Sequence, residues 1–401
     1  MTEWLSTIRA DYERFALGLP RPLEDYVLDA YRISLASIYA GLPIKNPFGK
    51  ASGQLSLNAN QVERDAEAGL GFVVLKTLIA QDKTGAQSMK AWAIPATKMT
   101  VEEILGTREQ VRGKRGWSVT WKGRGWSESF EAYLQFFERA IEISSRSNML
   151  IIPSVKYHLP KPGETLWRTD EYEFTTVQLH RIWKKSRGEP MPLEKDFSPT
   201  LAGDQNFSRE KENILGWLRT VPQLIKATSV GNDVRLGLKI FNAAHSDDFQ
   251  LEMLNLCASA EPRADYIIYG NRLFDPQKSY EGVRGVAYGG PDLSDRNLSL
   301  LSRWNHSLPL SATGNITTGK IAFEYLKRGA TSFQMHTLFQ LPDSEFGMKS
   351  GTRTERALHR LLFHPEHGFL AAMLAEKEIH GWPGGISIAE IARFYSKKLR
   401  F

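Results

Sequence analysis

The sequence contains one cysteine, Cys257, among its 401 residues. One cysteine cannot form a disulfide within the chain, and it cannot supply the several thiolates that hold an iron–sulfur cluster. Its neighbours Leu254, Leu256 and Ala258 favour a helix in which the cysteine is a small core residue. We therefore expect neither an internal disulfide nor an iron–sulfur cluster.

Metal-binding motifs and long apolar runs are also missing from the sequence. The nine histidines show no metal-ligand spacing such as H-E-x-x-H, and no run of about eighteen apolar residues could span a membrane. The N-terminal residues include Glu3, Asp11 and Glu13 and lack the apolar segment of a secretory signal. These absences predict a cytoplasmic protein with no metal centre and no membrane span.

The excess of positive charge is small, because 51 lysines and arginines face 45 aspartates and glutamates, which gives a net charge of +6. Such a bias only mildly favours anionic ligands. The densest basic run, residues 112–124, also contains Trp117 and Trp121, a mixture found both in solvated loops and on nucleic-acid surfaces. We favour the solvated loop, and therefore a small-molecule substrate over a nucleic acid.

Short apolar runs alternate with helix-like runs from Gly41 onward, and eight of them are predicted as strands. They cover residues 42–52, 71–77, 149–155, 191–197, 234–241, 264–269, 309–312 and 332–337. Seven have the near-continuous apolar character of strands buried on both faces, whereas the fourth is polar. Because a helix-like run follows each strand, we predict an α/β fold, a (β/α)8 TIM barrel over residues 41–401. An open doubly wound sheet is the alternative.

Three further segments lie outside this pattern. Residues 1–40 are predicted as a helical extension, since apolar residues such as Tyr26, Val27, Ala30 and Tyr31 recur at helical spacing. The connections at about residues 79–126 and 156–173 are longer than a barrel needs, and both leave the carboxyl ends of predicted strands. Long loops at that face typically cover or contact the substrate.

Residues 309–338 offer a site for a phosphate group. A short strand runs into a turn at 313–316, Thr317 or Thr318 can cap the helix that follows, and Gly329 ends that helix. This unit presents backbone N–H groups at a helix N-terminus, which suits a phosphate dianion. The loops after the seventh and eighth strands of a barrel are the usual phosphate site. An ordinary strand–helix–strand unit with nothing bound is the alternative.

Polar residues stand at or just after the ends of four predicted strands. They are Lys76, Ser198, Lys239 and Asn271. In a barrel all four lie at one mouth, and a buried charged residue needs a partner or a function. Each alone could be a hydrogen-bonded structural group. Two lysines and an asparagine beside a phosphate site favour an anionic cofactor or a delocalised anion.

Six segments carry a resemblance to a known family. They are NPFGKASG (46–53), GFVVLKT (71–77), GLKIFN (237–242), AYGGPDLS (287–294), ATGNITTGKIAFEYLKRGA (312–330) and FQMHT (333–337). In this order they resemble the dihydroorotate dehydrogenase family, whose superfamily includes the flavin domain of dihydropyrimidine dehydrogenase. The resemblance covers about residues 41–391, without the extension and the two long loops. It implies an FMN-binding (β/α)8 barrel, pyrimidine metabolism and, as in many family members, a homodimer.

The resemblance also implies roles for individual residues. Those expected to bind FMN are Ala51, Ser52, Gly53, Lys76, Thr77, Lys239, Gly289, Gly290, Gly314, Asn315, His336 and Thr337. The last four would hold the phosphate, mainly through backbone N–H groups. Lys239 would lie near the pyrimidine end of the isoalloxazine, where a cation stabilises the anionic reduced flavin. Lys76 would contact both flavin and substrate.

The substrate end departs from the family pattern. The family's fourth strand leads into an Asn-x-Ser-Cys/Ser-Pro-Asn type of segment that supplies the catalytic base, and here residues 195–200 are KDFSPT. Aligned on the proline, Ser198 takes the base position and Thr200 replaces an asparagine. Ser198 and Lys76 are therefore the expected catalytic residues, and Lys76, Asn271 and Thr200 the expected substrate-binding residues. Because the family's asparagines are missing, we expect a substrate other than dihydroorotate.

These observations give one main hypothesis and two alternatives. The main hypothesis is an FMN-dependent oxidoreductase that transfers a hydride between flavin N5 and a C–C bond of a small cyclic substrate, with a direct electron acceptor. One alternative is a barrel that keeps FMN, has lost redox activity and serves as a partner subunit. The other is a reductase acting on RNA, which resembles the dihydrouridine synthases and fits the basic composition, although the catalytic-loop cysteine of those enzymes is missing.

Overall fold

The computed structural model describes residues 3–95, 98–121, 123–161, 163–197, 207–243, 245–280, 283–305 and 308–398. These residues form a mixed α/β fold in which helices surround a parallel sheet. Within these ranges the sheet has ten strands: β1 (Phe48–Lys50), β2 (Phe72–Val74), β3 (Leu78–Ile79), β4 (Leu150–Ile152), β5 (Ser154–Lys156), β6 (Met191–Asp196), β7 (Val234–Phe241), β8 (Tyr266–Asn271), β9 (Leu310–Thr313) and β10 (Ala330–Met335).

The described ranges contain twelve α-helices, most of which alternate with the strands. They are α1 (Glu3–Arg14), α2 (Leu23–Tyr31), α3 (Ala59–Glu67), α4 (Phe130–Ser147), α5 (Thr169–Lys184), α6 (Phe207–Lys226), α7 (Asp247–Ser259), α8 (Pro291–Arg303), α9 (Gly319–Leu326), α10 (Arg353–Phe363), α11 (Phe369–His380) and α12 (Ile388–Lys398). The side chain of Thr318 caps α9, as predicted, by accepting a hydrogen bond from the N–H of Ile321. The apolar face of α4 is buried and includes Phe130, Tyr133 and Phe137.

The sheet has the strand order β3-β5-β6-β7-β8-β9-β10-β1-β2-β4, and all of these neighbouring strands are parallel. The two strands at the ends of this order continue strands that lie inside it. Residues 75–77 separate β2 from β3, and Pro153 alone separates β4 from β5. Across these interruptions, the N–H of Leu75 donates to the Ile152 carbonyl and the N–H of Glu194 to the Pro153 carbonyl.

Each of the eight predicted strands has a counterpart in this sheet. The predicted strand at 149–155 appears as β4 and β5, and the one at 71–77 as β2, which β3 continues. The polar fourth strand is also present, because β6 is buried along its whole length, including Glu194, Lys195 and Asp196. These charged residues are buried because the structure gives them partners, which are described below.

Two predictions for the N-terminal part are wrong in detail. The helical extension stops earlier than residue 40, because α2 ends at Tyr31 and Arg32 takes a left-handed conformation with φ of 53°. The chain then forms the short strands Ile33–Ser34 and Ser37–Tyr39. Ile33, Ile38 and Tyr39 are β-branched or aromatic residues, which suit strands better than helices.

The predicted strand at 42–52 is divided into two strands. Leu42–Ile44 pairs antiparallel with Ser37–Tyr39, whereas β1 belongs to the parallel sheet. Between them, the side-chain Oδ1 of Asn46 accepts a hydrogen bond from the N–H of Phe48 at 3.1 Å. Pro47 has no N–H to offer to a neighbouring strand. The side chain of Asn46 therefore replaces a ladder bond and separates the two strands.

Two further antiparallel hairpins, which the sequence pattern did not predict, also lie outside the parallel sheet. Hairpin A pairs Thr100–Leu105 with Arg115–Thr120, inside the predicted long connection at 79–126. Hairpin B pairs Leu273–Tyr280 with Val283–Tyr288 and connects β8 to α8. Of the helices in the described part of the chain, none has the length and apolar character needed to cross a membrane.

Candidate functional site

A cavity of about 590 Å³ opens at the carboxyl ends of the sheet strands. Among its lining residues are eleven of the twelve predicted FMN-binding residues, namely Ala51, Ser52, Gly53, Lys76, Thr77, Lys239, Gly289, Gly314, Asn315, His336 and Thr337. Asn271, a predicted substrate-binding residue, lines it as well. The twelfth residue, Gly290, is the N-cap residue of α8 and is not among the lining residues. The predicted Ser198 and Thr200 lie outside the described residues.

One end of the cavity is formed by the turns that follow β9 and β10. Among the described residues, the backbone N–H groups of Gly314, Asn315, His336 and Thr337 have no acceptor. Gly314 has φ of +102°, and a Cβ added there would lie 2.6 Å from the carbonyl oxygen of Gly270. A glycine is therefore required at this turn. Free N–H groups after two adjacent strands are suited to bind an anion.

Two buried asparagines fix the strand ends around this turn. Asn297 donates from Nδ2 to the carbonyls of Gly270 at 3.0 Å and Thr313 at 3.2 Å. Its Oδ1 accepts from Nδ2 of Asn242 at 3.0 Å, and Asn242 also donates to the carbonyl of Asn271 at 2.8 Å. This network ties α8 to the ends of β7, β8 and β9. Asn242 lies in the GLKIFN segment, but no sequence signal indicated the role of Asn297.

Lys239 forms a buried ion pair that the sequence analysis missed. Its Nζ lies 3.1 Å from Oε1 of Glu194, and the two side chains are 5% and 0% exposed. The other oxygen of Glu194 accepts from Nε2 of Gln334 at 2.7 Å, and that amide also donates to the hydroxyl of Tyr39 at 3.1 Å. Glu194 ends no strand and lies in the polar segment. Its pairing with Lys239 could therefore not be inferred from the sequence around it.

Lys76 and Asp196 lie where β2 and β6 reach the cavity. Burial lowers the pKa of Lys76 to about 8, and the charge of Asp196 opposes this shift. Lys156 is fully buried, and burial lowers its pKa also to about 8, again against the influence of Asp196. The hydroxyl of Thr77 donates to Asp196 at 3.4 Å. Asp196 ends a buried strand. Lys76 was identified because a charged residue at the end of a buried strand needs a partner or a function, and the same reasoning would have identified Asp196.

A stacked column of three side chains forms one wall of the cavity. The rings of Trp121 and His336 are 26° apart with centroids 4.6 Å from each other, and the Arg272 guanidinium carbon is 4.1 Å from the Trp121 ring. Neither ring nitrogen of His336 has a hydrogen-bond partner among the described residues. Burial, assisted by the charge of Arg272, lowers the pKa of His336 to about 3. His336 is therefore a neutral aromatic surface at neutral pH.

Hairpin A is attached to α8 beside the cavity. The backbone N–H and the hydroxyl of Thr107 donate to the carboxylate of Asp292 at 2.7 and 2.6 Å, and the N–H of Arg108 donates to it at 3.0 Å. The hydroxyl of Ser118 accepts from the N–H of Gly289 at 3.2 Å. The end of the hairpin and Trp121, which follows it, line the cavity. The inserted segment therefore contributes to the site.

Cys257 lies in α7 and is buried, and burial raises the pKa of its thiol to about 12. This confirms its interpretation as a core residue.

Comparisons of the chain with protein-family models and with curated proteins found no match. The described lining of the cavity includes four cationic side chains, one carboxylate and free backbone N–H groups. Such a site can bind and polarise an anionic ligand.

Proposed function

We propose that this chain is an FMN-dependent oxidoreductase resembling the dihydroorotate dehydrogenases. A hydride would move between the cofactor and a C–C bond of a small cyclic substrate other than dihydroorotate. The observation that carries the proposal is one cavity that joins free N–H groups at Gly314 and His336 to the buried cations Lys76 and Lys239. FMN has the corresponding parts, a phosphate at one end and an isoalloxazine that gains negative charge on reduction at the other.

We further propose that the sheet is a closed (β/α)8 barrel. When β2 is joined to β3, and β4 to β5, the strand order becomes a cycle of eight, since β2 pairs with β4, and β5 with both β3 and β6. A side-chain contact supports closure independently. Glu194 on β6 accepts a hydrogen bond from Gln334 on β10 at 2.7 Å, although these strands are four places apart in the order. Side chains that meet across the interior are typical of barrels.

The residues present fit a phosphate and a planar ring system. Gly314 lets the turn after β9 pack closely, since a Cβ there would lie 2.6 Å from the carbonyl oxygen of Gly270. Gly53 lies close to the His336 ring, since a Cβ there would lie 2.9 Å from it. The N–H groups of Asn315, His336 and Thr337 would complete the phosphate site. FMN, when bound, supplies hydride transfer at its N5 atom. The cavity volume also lies within the roughly 300–1,000 Å³ of typical cofactor sites.

The described side chains supply the electrostatic and proton-handling parts of this function. Lys239 would place a positive charge near the pyrimidine end of the isoalloxazine, and Lys76 would contact both cofactor and substrate. Ser198 remains the base that the resemblance suggests. Asp196 lies two residues before it, lines the cavity and is hydrogen-bonded to Thr77, so it is a carboxylate to which a proton can pass.

The first test is the visible absorption spectrum of the purified protein, followed by anaerobic titration with dihydroorotate and dihydrouracil. We expect flavin absorbance that dithionite bleaches and that neither of these two compounds bleaches. Bleaching by either compound would contradict the proposed change of substrate. Flavin that no further cyclic candidate reduces would favour a binding subunit without redox activity. A colourless protein that takes up no added FMN would refute the function.

A matched pair of glycine variants tests the phosphate site. Gly314→Ala should abolish FMN retention, because its Cβ would collide with the carbonyl of Gly270. Gly69→Ala is the control, since Gly69 also has a positive φ, +95°, but nothing lies within 4 Å of the added Cβ. Both variants carry the same type of backbone strain. Equal FMN content in the two variants would argue against a phosphate at Gly314.

A further inference from the structure

The structure fixes Arg124, a residue of the inserted segment, beside the end of β2. The backbone N–H of Trp126 donates to the carbonyl of Thr77 at 2.7 Å. Arg124 and Ile94 exchange two backbone hydrogen bonds of 2.9 and 2.8 Å, which hold the two parts of the segment together. The segment thus returns to the strand end that carries Lys76. The resemblance to the flavin enzymes does not include this segment, so it assigns nothing to Arg124.

Arg124 lines the cavity, and its guanidinium group has unused donors. Its Nε donates to the carbonyl of Trp92 at 2.7 Å, while its two terminal nitrogens have no acceptor in the described part of the chain. The Nε1–H of Trp92, another lining residue, is also buried without an acceptor there. Arginine stays protonated in proteins, so this group remains charged. A partly buried cation of this kind is stabilised when a ligand supplies the missing acceptor.

The other cationic side chains of the cavity differ in whether they have an ion-pair or hydrogen-bond partner. Lys239 pairs with Glu194, and Arg272 donates to two backbone carbonyls. The ammonium group of Lys76 resembles Arg124, because it too has no hydrogen-bond acceptor among the described residues. Asp196 is its electrostatic partner, and this carboxylate also interacts with Lys156 and Lys195. Arg124 and Asp196 both act on the charge of Lys156, and Asp196 also acts on Lys76, so these four groups carry more positive than negative charge.

We propose that Arg124 determines substrate specificity by binding a carboxylate group of the substrate through its two terminal nitrogens, with Lys76 as the second cation. This inference rests on the proposed function, because the carboxylate belongs to the substrate of that reaction. The class of substrate is a small cyclic acid. Its carboxylate gives the planar guanidinium a two-bond partner, and Trp92 and Ile94 provide apolar surface beside it for the ring. The neutral amide of the same acid leaves the charge unpaired.

The test is isothermal titration of the purified full-length protein with benzoate and with benzamide, its neutral counterpart. Hydrogen bonds to charged groups predict that benzoate binds about ten- to a hundredfold more tightly. Arg124→Gln should remove this preference. Arg124→Lys should keep part of it, because lysine keeps the positive charge but lacks the planar pair of terminal nitrogens. Arg112→Gln is the matched control, an exposed arginine of the same segment, and should keep the full preference.

Three results would overturn the inference: equal binding of benzoate and benzamide, binding of neither, or a preference that survives Arg124→Gln. Thermal unfolding of each variant shows whether it is folded, and Arg124→Lys provides a second variant if Arg124→Gln is not. The flavin absorbance of the same samples separates the two proposals. A yellow protein without the preference overturns the role of Arg124 alone. A colourless protein that takes up no FMN but shows the preference overturns the flavin function and leaves an anion site that depends on Arg124.

Discussion

The Lys239–Glu194 pair gives the most direct prediction about stability. Both side chains are almost completely buried, and Nζ and Oε1 are 3.1 Å apart. Replacing Lys239 by methionine keeps the length and the apolar part of the side chain but leaves the carboxylate of Glu194 without its charged partner. Gln334 would still donate one hydrogen bond to it. The variant therefore isolates the cost of an unpaired buried charge.

The size of the effect follows from burial and from the cavity. Breaking a buried ion pair by removing one partner costs about 3–5 kcal/mol. Because Lys239 lines the cavity, water can reach the space that the ammonium leaves, so we expect the lower end, about 3 kcal/mol. Unfolding entropies of roughly 2.1 cal/mol/K per residue give about 0.84 kcal/mol/K for 401 residues. Lys239→Met should therefore lower Tm by about 4 °C.

Differential scanning calorimetry of three variants measures this. Lys239→Met is compared with Glu194→Gln and with the double variant, all at neutral pH. Glutamine at position 194 keeps an oxygen acceptor for Gln334 and removes the charge, so the double variant should regain most of the lost Tm. Flavin content is recorded for each sample, since a bound cofactor raises Tm by itself.

Two results would refute this reasoning. A Lys239→Met variant as stable as the parent would mean that the carboxylate does not depend on Lys239. A double variant less stable than Lys239→Met would mean that the loss came from packing and not from an unpaired charge. Either result would also weaken the argument that Lys239 is held in place by the carboxylate.

Two other predictions concern pH and hairpin A. Burial lowers the pKa values of Lys76 and Lys156 to about 8, from 10.5. The unfolded chain keeps these protons longer, so stability should rise with pH from about 8. The Cys257 thiol, whose pKa burial raises from 9.0 to about 12, opposes this rise from about pH 9, and ionising tyrosines oppose it near pH 10. Lys76→Met should flatten the rise in thermal melts. A fall over this window in the parent protein would contradict the assignment. Burial alone would raise the pKa of Asp292, but hydrogen bonds from Thr107 and Arg108 hold it below 3.8. Asp292→Asn should therefore loosen hairpin A and speed tryptic cleavage at Lys114 by about tenfold, whereas the exposed control Asp248→Asn should leave the rate unchanged.

The strands could be predicted because most are buried on both faces and therefore consist of short apolar runs. The prediction failed where side chains replace backbone bonds, as at Asn46, and where a segment has no buried face of its own. Hairpin A is an example, since its first strand, Thr100–Leu105, has no fully buried residue and its attachment depends on Asp292, which is 185 residues from Thr107. Contacts over such separations leave no local pattern in a sequence.

The candidate site was predicted where a single local rule applied. Lys76 and Lys239 are charged residues within or at the end of apolar strands, and Gly314 stands in a turn before a helix, so each is conspicuous in its own segment. Arg124, Arg272 and Trp121 are not conspicuous in the sequence. They lie in segments that reach the cavity only when the hairpins are folded against the strand ends. Their partners are backbone carbonyls and rings from distant parts of the chain.

The polar strand β6 explains how the cavity keeps its positive charge. Successive strand residues point to opposite faces, so Glu194 and Asp196 lie on one face and Lys195 on the other. Glu194 neutralises Lys239 in the interior, while Asp196, nearer the mouth, interacts with both Lys76 and Lys156. One carboxylate cannot balance two lysines, and Arg124 adds a further charge. An anion bound at the mouth would therefore complete the electrostatic balance, which is why a cyclic acid suits this site better than a neutral ring.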